Sequence, residues 1–213
     1  IQRSRGLGDV YKRQILDIDC DKTGLLAEWR SMAHRLDELT EEVNIAMVGK
    51  YTDLSDAYLS VIKSLQHAAL AVERKLNIDW IEASDLEDAN NAEAWGLLRN
   101  ANGVLVPGGF GDRGIEGKVL AAQYARENNV PYLGICLGLQ VATIEFCRNV
   151  LGIEDATSTE FDADAANPAV IFMPEISKTH LGGTMRLGSR PTIFQVEDCV
   201  TKRLYGGHDS VDE

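Results

Sequence analysis

The segment V-P-Y-L-G-I-C-L-G-L-Q, residues 130–140, decides the fold of this chain. It is a short apolar run that ends at a cysteine flanked by glycines, and apolar residues at helical spacing follow it. We therefore predict a buried strand over residues 130–135, a sharp turn at Cys136 and a helix behind the turn. Gly134 and Gly138 allow strand and helix to pack closely at such a turn, which leaves the side chain between them exposed.

Cys136 is the candidate nucleophile of this turn. A helix that begins behind it offers free N–H groups and the positive end of its dipole, and both favour a thiolate. The alternative is a structural cysteine at the end of a strand, because free cysteine is among the most buried residue types. From the G-x-C-x-G pattern alone, the structural interpretation is the commoner one.

Composition sets limits on the class of protein. The 213 residues are 45% apolar and 25% charged, which is ordinary for a globular domain with a core. The net charge of −12 argues against a nucleic-acid partner. Cys20, Cys136, Cys147 and Cys199 are too far apart for a zinc or disulfide pattern, so we expect no metal site and a reducing, cytoplasmic setting. No run approaches the roughly 18 apolar residues of a membrane span, and we expect no membrane partner.

The N-terminal part divides into two segments before the domain. Residues 1–14 carry a net charge of +3 without apolar periodicity, and we interpret them as a non-native or disordered segment. Residues 15–42 are predicted to be an interdomain linker with an amphipathic helix over residues 25–39. The domain proper is assigned to residues 43–213.

Strand and helix patterns alternate through the domain. Apolar runs predict strands at residues 43–48, 78–83 and 103–106, and helical spacing predicts helices at 58–76, 85–100 and 117–128. This alternation predicts an α/β fold with a mostly parallel sheet and helices on both faces. The functional site is then expected at the carboxyl ends of the strands.

A glycine-rich segment, V-P-G-G-F-G-D-R-G at residues 106–114, follows the third predicted strand. Glycine lets a backbone approach a ligand closely, so this loop and the turn at Cys136 could together form an oxyanion hole. The N–H groups of Gly109 and Leu137 are the candidate donors. A phosphate-binding loop or a plain turn explains the loop equally well when it is considered alone.

Several motifs together carry a family resemblance. They are the P-G-G-F-G loop, the L-G-I-C-L-G-L-Q turn, S-T-E-F at residues 158–161, G-G-T-M-R-L-G at 182–188 and the V-G-K-Y-T-D-L-S-D-A-Y-L-S-V start at 48–61. From about Val43 to Tyr205 the chain resembles the class I glutamine amidotransferase domain of the CTP synthase family. The resemblance implies the fold of that domain.

The resemblance also implies a reaction and its residues. Glutamine is hydrolysed through a thioester on Cys136, with Gly109 and Leu137 as oxyanion donors, and the ammonia passes to a synthetase domain that aminates UTP to CTP. The glutamine is held by Gly109 and residues 137–140 (Leu137, Gly138, Leu139 and Gln140) together with Glu160, and Phe110 lies at the mouth of the site as a gate. ATP and Mg belong to the synthetase domain, GTP is an activator, and the full-length family forms homotetramers. No cofactor is expected in this domain.

The sequence departs from the family pattern in one respect. The family supplies its histidine base and orienting glutamate from an H-P-E stretch, and none of His34, His67, His180 and His208 is followed by Pro-Glu. We therefore expect a fragment that lacks the synthetase domain and the catalytic histidine and glutamate, and that is inactive alone. The four histidines are interpreted as surface residues.

Two alternatives remain open from the sequence. Another α/β hydrolase with a cysteine at such a turn would also need a downstream histidine, although the loop pattern disfavours it. The second alternative is a non-catalytic, glutaminase-like regulatory module. The reactivity of Cys136 toward a glutamine-mimicking diazoketone distinguishes a catalytic from a non-catalytic module.

Overall fold

A computed structural model of the chain describes residues 26–50, 52, 55–172, 189 and 191–212. The predicted non-native segment, most of the predicted linker before its helix, His180 and the G-G-T-M-R-L-G motif lie outside these residues. The predicted division into segments stays a prediction.

Helices and strands alternate through the first two thirds of the described chain, and short strand pairs follow. In chain order the elements are α1 (Ala27–Glu38), β1 (Glu42–Gly49), a 3₁₀ turn (Ser55–Tyr58), α2 (Leu59–Ala71), β2 (Lys75–Glu82), a second 3₁₀ turn (Ala83–Glu87), α3 (Ala92–Asn100), β3 (Gly103–Val106), α4 (Ile115–Glu127), β4 (Tyr132–Gly134), α5 (Leu137–Asn149), β5 (Thr157–Ser158), β6 (Pro168–Val170), β7 (Pro191–Ile193), α6 (Val200–Leu204) and β8 (Ser210–Asp212).

The first four strands form one parallel sheet in the order β2-β1-β3-β4. The chain runs from β1 outward to β2, then crosses back to β3 and continues to β4. Because crossovers between parallel strands are right-handed, α2 covers one face of the sheet, and α3 and α4 cover the other. The α/β prediction with a parallel sheet and flanking helices is confirmed. The order reverses between β1 and β3, and a sheet of this kind binds ligands at the carboxyl ends next to that reversal.

The core lies between this sheet and the helices. All four residues of β3 are buried, as expected for a central parallel strand that is covered on both faces. Helix α5 contributes the fully buried side chains of Val141 and Ile144, and β1 contributes those of Ala46, Met47 and Val48. Each large apolar side chain buried in this way contributes about 1.5–3 kcal/mol. The core therefore fixes the ends of β1 and β3 relative to α5.

The sequence patterns misplaced some boundaries. The helix predicted to reach Leu76 ends at Ala71, and Leu76 pairs with Val43 in β2. An apolar residue at helical spacing belongs to the strand here because pairing along all of β1 outweighs the local pattern. The strand predicted over residues 130–135 is shorter, at Tyr132–Gly134. The prediction that it is buried is wrong, since Leu133 is 56% exposed at the edge of the sheet.

Helix α1 is confirmed in position but buries no residue. Trp29 is 67% exposed on it, and Leu36 is 59% exposed. Although the helix is amphipathic in sequence, its apolar face is therefore not buried against the described part of the chain.

Candidate active site

Cys136 lies at the turn between β4 and α5, where the sequence predicts it. It is the residue that immediately precedes α5, and its backbone has φ 54° and ψ −108°. A non-glycine residue with positive φ is uncommon and strained, and such strain concentrates at functional sites. The Cys136 carbonyl accepts the N–H groups of Leu139 (3.0 Å) and Gln140 (3.2 Å), while its side chain is exposed. Cys136 is therefore not buried, contrary to the structural alternative, and its role as a nucleophile stays a prediction.

The two glycines beside Cys136 are required by close backbone packing. A Cβ on Gly138 would lie 2.0 Å from the carbonyl oxygen of Val106, and a Cβ on Gly134 would lie 2.4 Å from the carbonyl carbon of Gly138. Neither position has room for a side chain. The start of α5 is thus pressed against the ends of β3 and β4, which holds the cysteine at the edge of the sheet.

Tyr132 on β4 stabilises the contact between β4 and the start of α5. Its hydroxyl donates to the carbonyl oxygen of Gly138 at 2.7 Å. Burial, with a smaller contribution from Glu145, raises the pKa of Tyr132, so the hydroxyl keeps its proton and remains a donor. The hydrogen bond fixes the first turn of α5.

The glycine-rich loop after β3 lies against the cysteine, as the sequence predicts. A Cβ on Gly108 would be 3.2 Å from the Cβ of Cys136 and 3.7 Å from its Sγ. The N–H of Ile135 also donates to the carbonyl of Val106 at 2.9 Å, which joins the two segments immediately before the loop and the turn.

Gly109, the next residue of the loop, lies beside Leu137. A Cβ on Gly109 would be 3.8 Å from Cδ2 of Leu137, whose side chain is 1% exposed. The two predicted oxyanion donors therefore belong to neighbouring residues, and their role stays a prediction. Phe110 follows with 76% of its surface exposed, at the outer end of the loop.

Two buried lysines that the sequence patterns did not single out reach this loop. Lys50, 8% exposed at the end of β1, donates from Nζ to the carbonyl oxygens of Phe110 (2.9 Å) and Gly111 (3.1 Å). Lys118 on α4 is 1% exposed, and its Nζ is 3.8 Å from the Cβ position of Gly109. Lys118 was detectable as a lysine on the inward face of a helical pattern, whereas Lys50 stands after a strand, where no periodic pattern indicates its burial.

The Lys118 ammonium is held in an unfavourable environment. Burial, and then the positive charge of Lys50, lower the pKa of Lys118 to about 8, while Glu82 acts in the opposite direction. Among the described residues no carboxylate lies within 4.0 Å of its Nζ, and no group accepts a hydrogen bond from it. Because no described side-chain nitrogen or oxygen is both buried and without a hydrogen-bond partner, this Nζ keeps contact with solvent. The loop is thus bordered by positive charge.

The predicted glutamine-binding residues lie on elements that pack together. Gln140 is in the first turn of α5 and half-buried, and Leu139 beside it is 63% exposed. Glu160 follows β5, which packs on α5, and its N–H donates to the Oγ of Ser158 at 3.2 Å. The Glu160 side chain is exposed. Its role toward glutamine stays a prediction.

The described histidines are all exposed: His34, His67 and His208. The prediction that they are surface residues is confirmed for these three, and within the described ranges none of them hydrogen-bonds to Cys136. The thiols of Cys136, Cys147 and Cys199 are free. In the part of the chain that the structure describes, no group of three or more His, Cys, Asp or Glu side chains is arranged to hold a metal ion, and no helix is long and apolar enough to cross a membrane.

Comparison with known proteins agrees with this geometry. The family model "Glutamine amidotransferase class-I" matches residues 53–212. The chain belongs to this family. The match includes the glycine-rich loop and the turn at Cys136, so the amidotransferase resemblance predicted from the sequence is confirmed.

The most similar amidotransferases among the relatives found are CTP synthases. CTP synthase of Dictyostelium discoideum is 58% identical over 190 residues, which cover 84% of this chain and 33% of that protein. CTP synthase 1 of Homo sapiens is 48% identical over 217 aligned residues, which cover 98% of this chain and 37% of that protein. The chain thus spans about a third of the length of the curated relatives it matches.

A solved amidotransferase structure is similar as well. The glutaminase domain of Trypanosoma brucei CTPS with bound acivicin superposes with a TM-score of 0.70 at 39% sequence identity. The superposition covers 80% of this chain and 65% of that one.

Proposed function

We propose that this chain is the glutaminase part of a CTP synthase, a glutamine-hydrolysing ligase of pyrimidine biosynthesis. The observation that carries the proposal is an exposed Cys136 thiol on a strained backbone, between two glycines with no room for a side chain and with Gly108 against it. This arrangement presents a nucleophile at the start of a helix beside a loop of backbone donors.

In the proposed reaction, the Cys136 thiolate attacks the side-chain carbonyl carbon of glutamine. The carbonyl π electrons move to oxygen, and the N–H groups of Gly109 and Leu137 bind the resulting O⁻. The C–N bond then breaks, ammonia leaves with a proton from the general acid, and a thioester remains on Cys136. Water cleaves the thioester to release glutamate and restore the thiol. Each oxyanion donor is worth about 3 kcal/mol in reactions of this kind.

The proton acceptor of this scheme is proposed to be a histidine oriented by a glutamate. Within the described ranges no histidine hydrogen-bonds to Cys136, and His180 lies outside them. The thiolate is also favoured by its place at the N-terminus of α5.

We propose that glutamine binds between α5 and the residue that follows β5. The carboxylate of Glu160 is suited to the α-ammonium of glutamine, and Gln140 with the backbone of residues 137–139 borders the chain of the substrate. Phe110, exposed at the outer end of the loop, would close over the entrance.

For the whole protein, we propose that the released ammonia passes to a synthetase domain that aminates UTP with ATP and Mg, with GTP as activator. The assembly is proposed to be a cytoplasmic homotetramer, formed mainly by the synthetase domain. This part itself is expected to need no cofactor.

The test is reaction of the full-length protein with a glutamine-mimicking diazoketone, followed by peptide mass spectrometry. The proposal predicts one adduct, on Cys136, whose formation glutamine slows. Acivicin, bound in the solved Trypanosoma brucei structure, should compete in the same assay. Labelling of Cys147 and Cys199 at the same rate as Cys136, with no protection by glutamine, would show a non-catalytic module.

A further inference from the structure

Lys118 carries a positive charge at the end of an otherwise buried side chain, and no described carboxylate pairs with it. Its neighbours on the inward face of α4, Ile115, Val119 and Ala122, are apolar and buried. An ammonium taken from water without a partner destabilises a protein, whereas an apolar side chain of similar length would stabilise this position. The charges that act on it compensate it only in part: Lys50 is also positive, and Glu82, which favours the ammonium, pairs with Arg113 at 3.2 Å.

The position of the charge points to the site rather than to the core. Two consecutive glycines of the loop have different neighbours: Gly108 lies against Cys136, and Gly109 lies against the Nζ of Lys118 and the side chain of Leu137. The ammonium therefore adjoins the residue whose N–H is proposed to bind the oxyanion. Lys50 holds the outer half of the same loop through the carbonyls of Phe110 and Gly111.

We propose that Lys118 is a positioning residue of the glutaminase site, whose ammonium lies against Gly109 and favours negative charge on the oxygen that the Gly109 peptide binds. This inference rests on the proposed glutaminase function. A fixed charge in a site of low polarity costs no reorganisation when the oxyanion forms, and its effect is stronger there than in water. Lys118 touches no reacting atom; it acts through Gly109.

The experiment compares Lys118→Met, Lys118→Gln and Lys118→Arg in the full-length protein, with Lys63→Met as the matched control. Lys63 is exposed on α2 and hydrogen-bonds only to Gln66 among the described residues. Glutamine hydrolysis is followed by ammonia release to obtain kcat and KM, and thermal unfolding is measured for each variant. Turnover is expressed per folded molecule.

The proposal predicts that both neutral variants lose about 10- to 100-fold in kcat with KM for glutamine changed less than about 3-fold, because the charge acts on the oxyanion rather than on bound glutamine. Lys118→Met should unfold at the same or a higher temperature than the unchanged protein, and Lys118→Arg should recover most of the kcat. Lys63→Met should match the unchanged protein.

Three results would overturn the role of Lys118. They are a kcat within about twofold of the unchanged protein in either neutral variant, a loss of kcat that arginine does not restore, and a loss that follows a lowered unfolding temperature in Lys118→Met and Lys118→Gln alike. If the unchanged protein releases no ammonia from glutamine, the proposed function itself fails, and the role of Lys118 fails with it.

Discussion

Replacing Gly138 by alanine tests the packing that presents Cys136. The new Cβ would lie 2.0 Å from the carbonyl oxygen of Val106, and Cβ atoms in real proteins keep at least 3.0 Å from such an atom. The start of α5 must therefore retreat from β3 by about 1 Å. A displacement of that size between reacting groups lowers turnover by about 10²-fold, and overpacking of this kind costs about 1–3 kcal/mol of stability.

The assay measures kcat/KM for glutamine hydrolysis and the free energy of unfolding of the full-length protein and its Gly138→Ala variant. Gly96→Ala is the matched control, because Gly96 lies in α3 with no atom within 4 Å of its Cβ position. That control should keep full activity and gain up to about 1 kcal/mol from better helix propensity. A Gly138→Ala variant with unchanged turnover and stability would show that α5 and β3 are not packed as described.

Two further predictions concern the loop and its buried lysine. Gly109→Val should lower glutaminase turnover by about 10²-fold, because the methyl groups of valine must displace a loop whose Cβ position already contacts Leu137 and Lys118 at 3.8 Å. Gly109→Ala, whose Cβ fits at these distances, should lose much less; equal turnover in Gly109→Val and the unchanged protein would remove the loop from the mechanism. The second prediction concerns pH. Because folding lowers the pKa of Lys118 from 10.5 to about 8, the unfolded chain binds more protons between these values, and the free energy of unfolding rises with pH across that window. Denaturant unfolding between pH 8 and 10.5 should show this rise as a difference between the unchanged protein and Lys118→Met; parallel curves for the two would contradict the burial of a charged Lys118.

The turn at Cys136 was predictable because its pattern is local. A strand, two glycines and a helix within eleven residues specify a sharp turn, and the backbone contacts of Gly134 and Gly138 are what that pattern requires. The buried β3 was also predicted with its observed bounds, since Gly103–Val106 is a short apolar run with clear ends.

Features that depend on distant parts of the chain were not predictable in the same way. Leu76 fits a helical pattern, and only its pairing with Val43 places it in β2. Likewise, Lys50 and Lys118 lie 68 positions apart in the sequence, and their relation to the loop appears only when β1, β3 and α4 are assembled. Sequence patterns indicate the periodicity of a segment, but they do not indicate which distant residues contact a charged side chain in the folded chain.

The measurement that tests the account most directly is CTP formation by a full-length Cys136→Ala protein, supplied in parallel with glutamine and with free ammonia. The account predicts that glutamine-dependent formation is abolished while ammonia-dependent formation stays close to that of the unchanged protein, because only the nucleophile of the glutaminase site is removed. If glutamine-dependent formation persists, or if both rates fall equally, Cys136 is not the nucleophile.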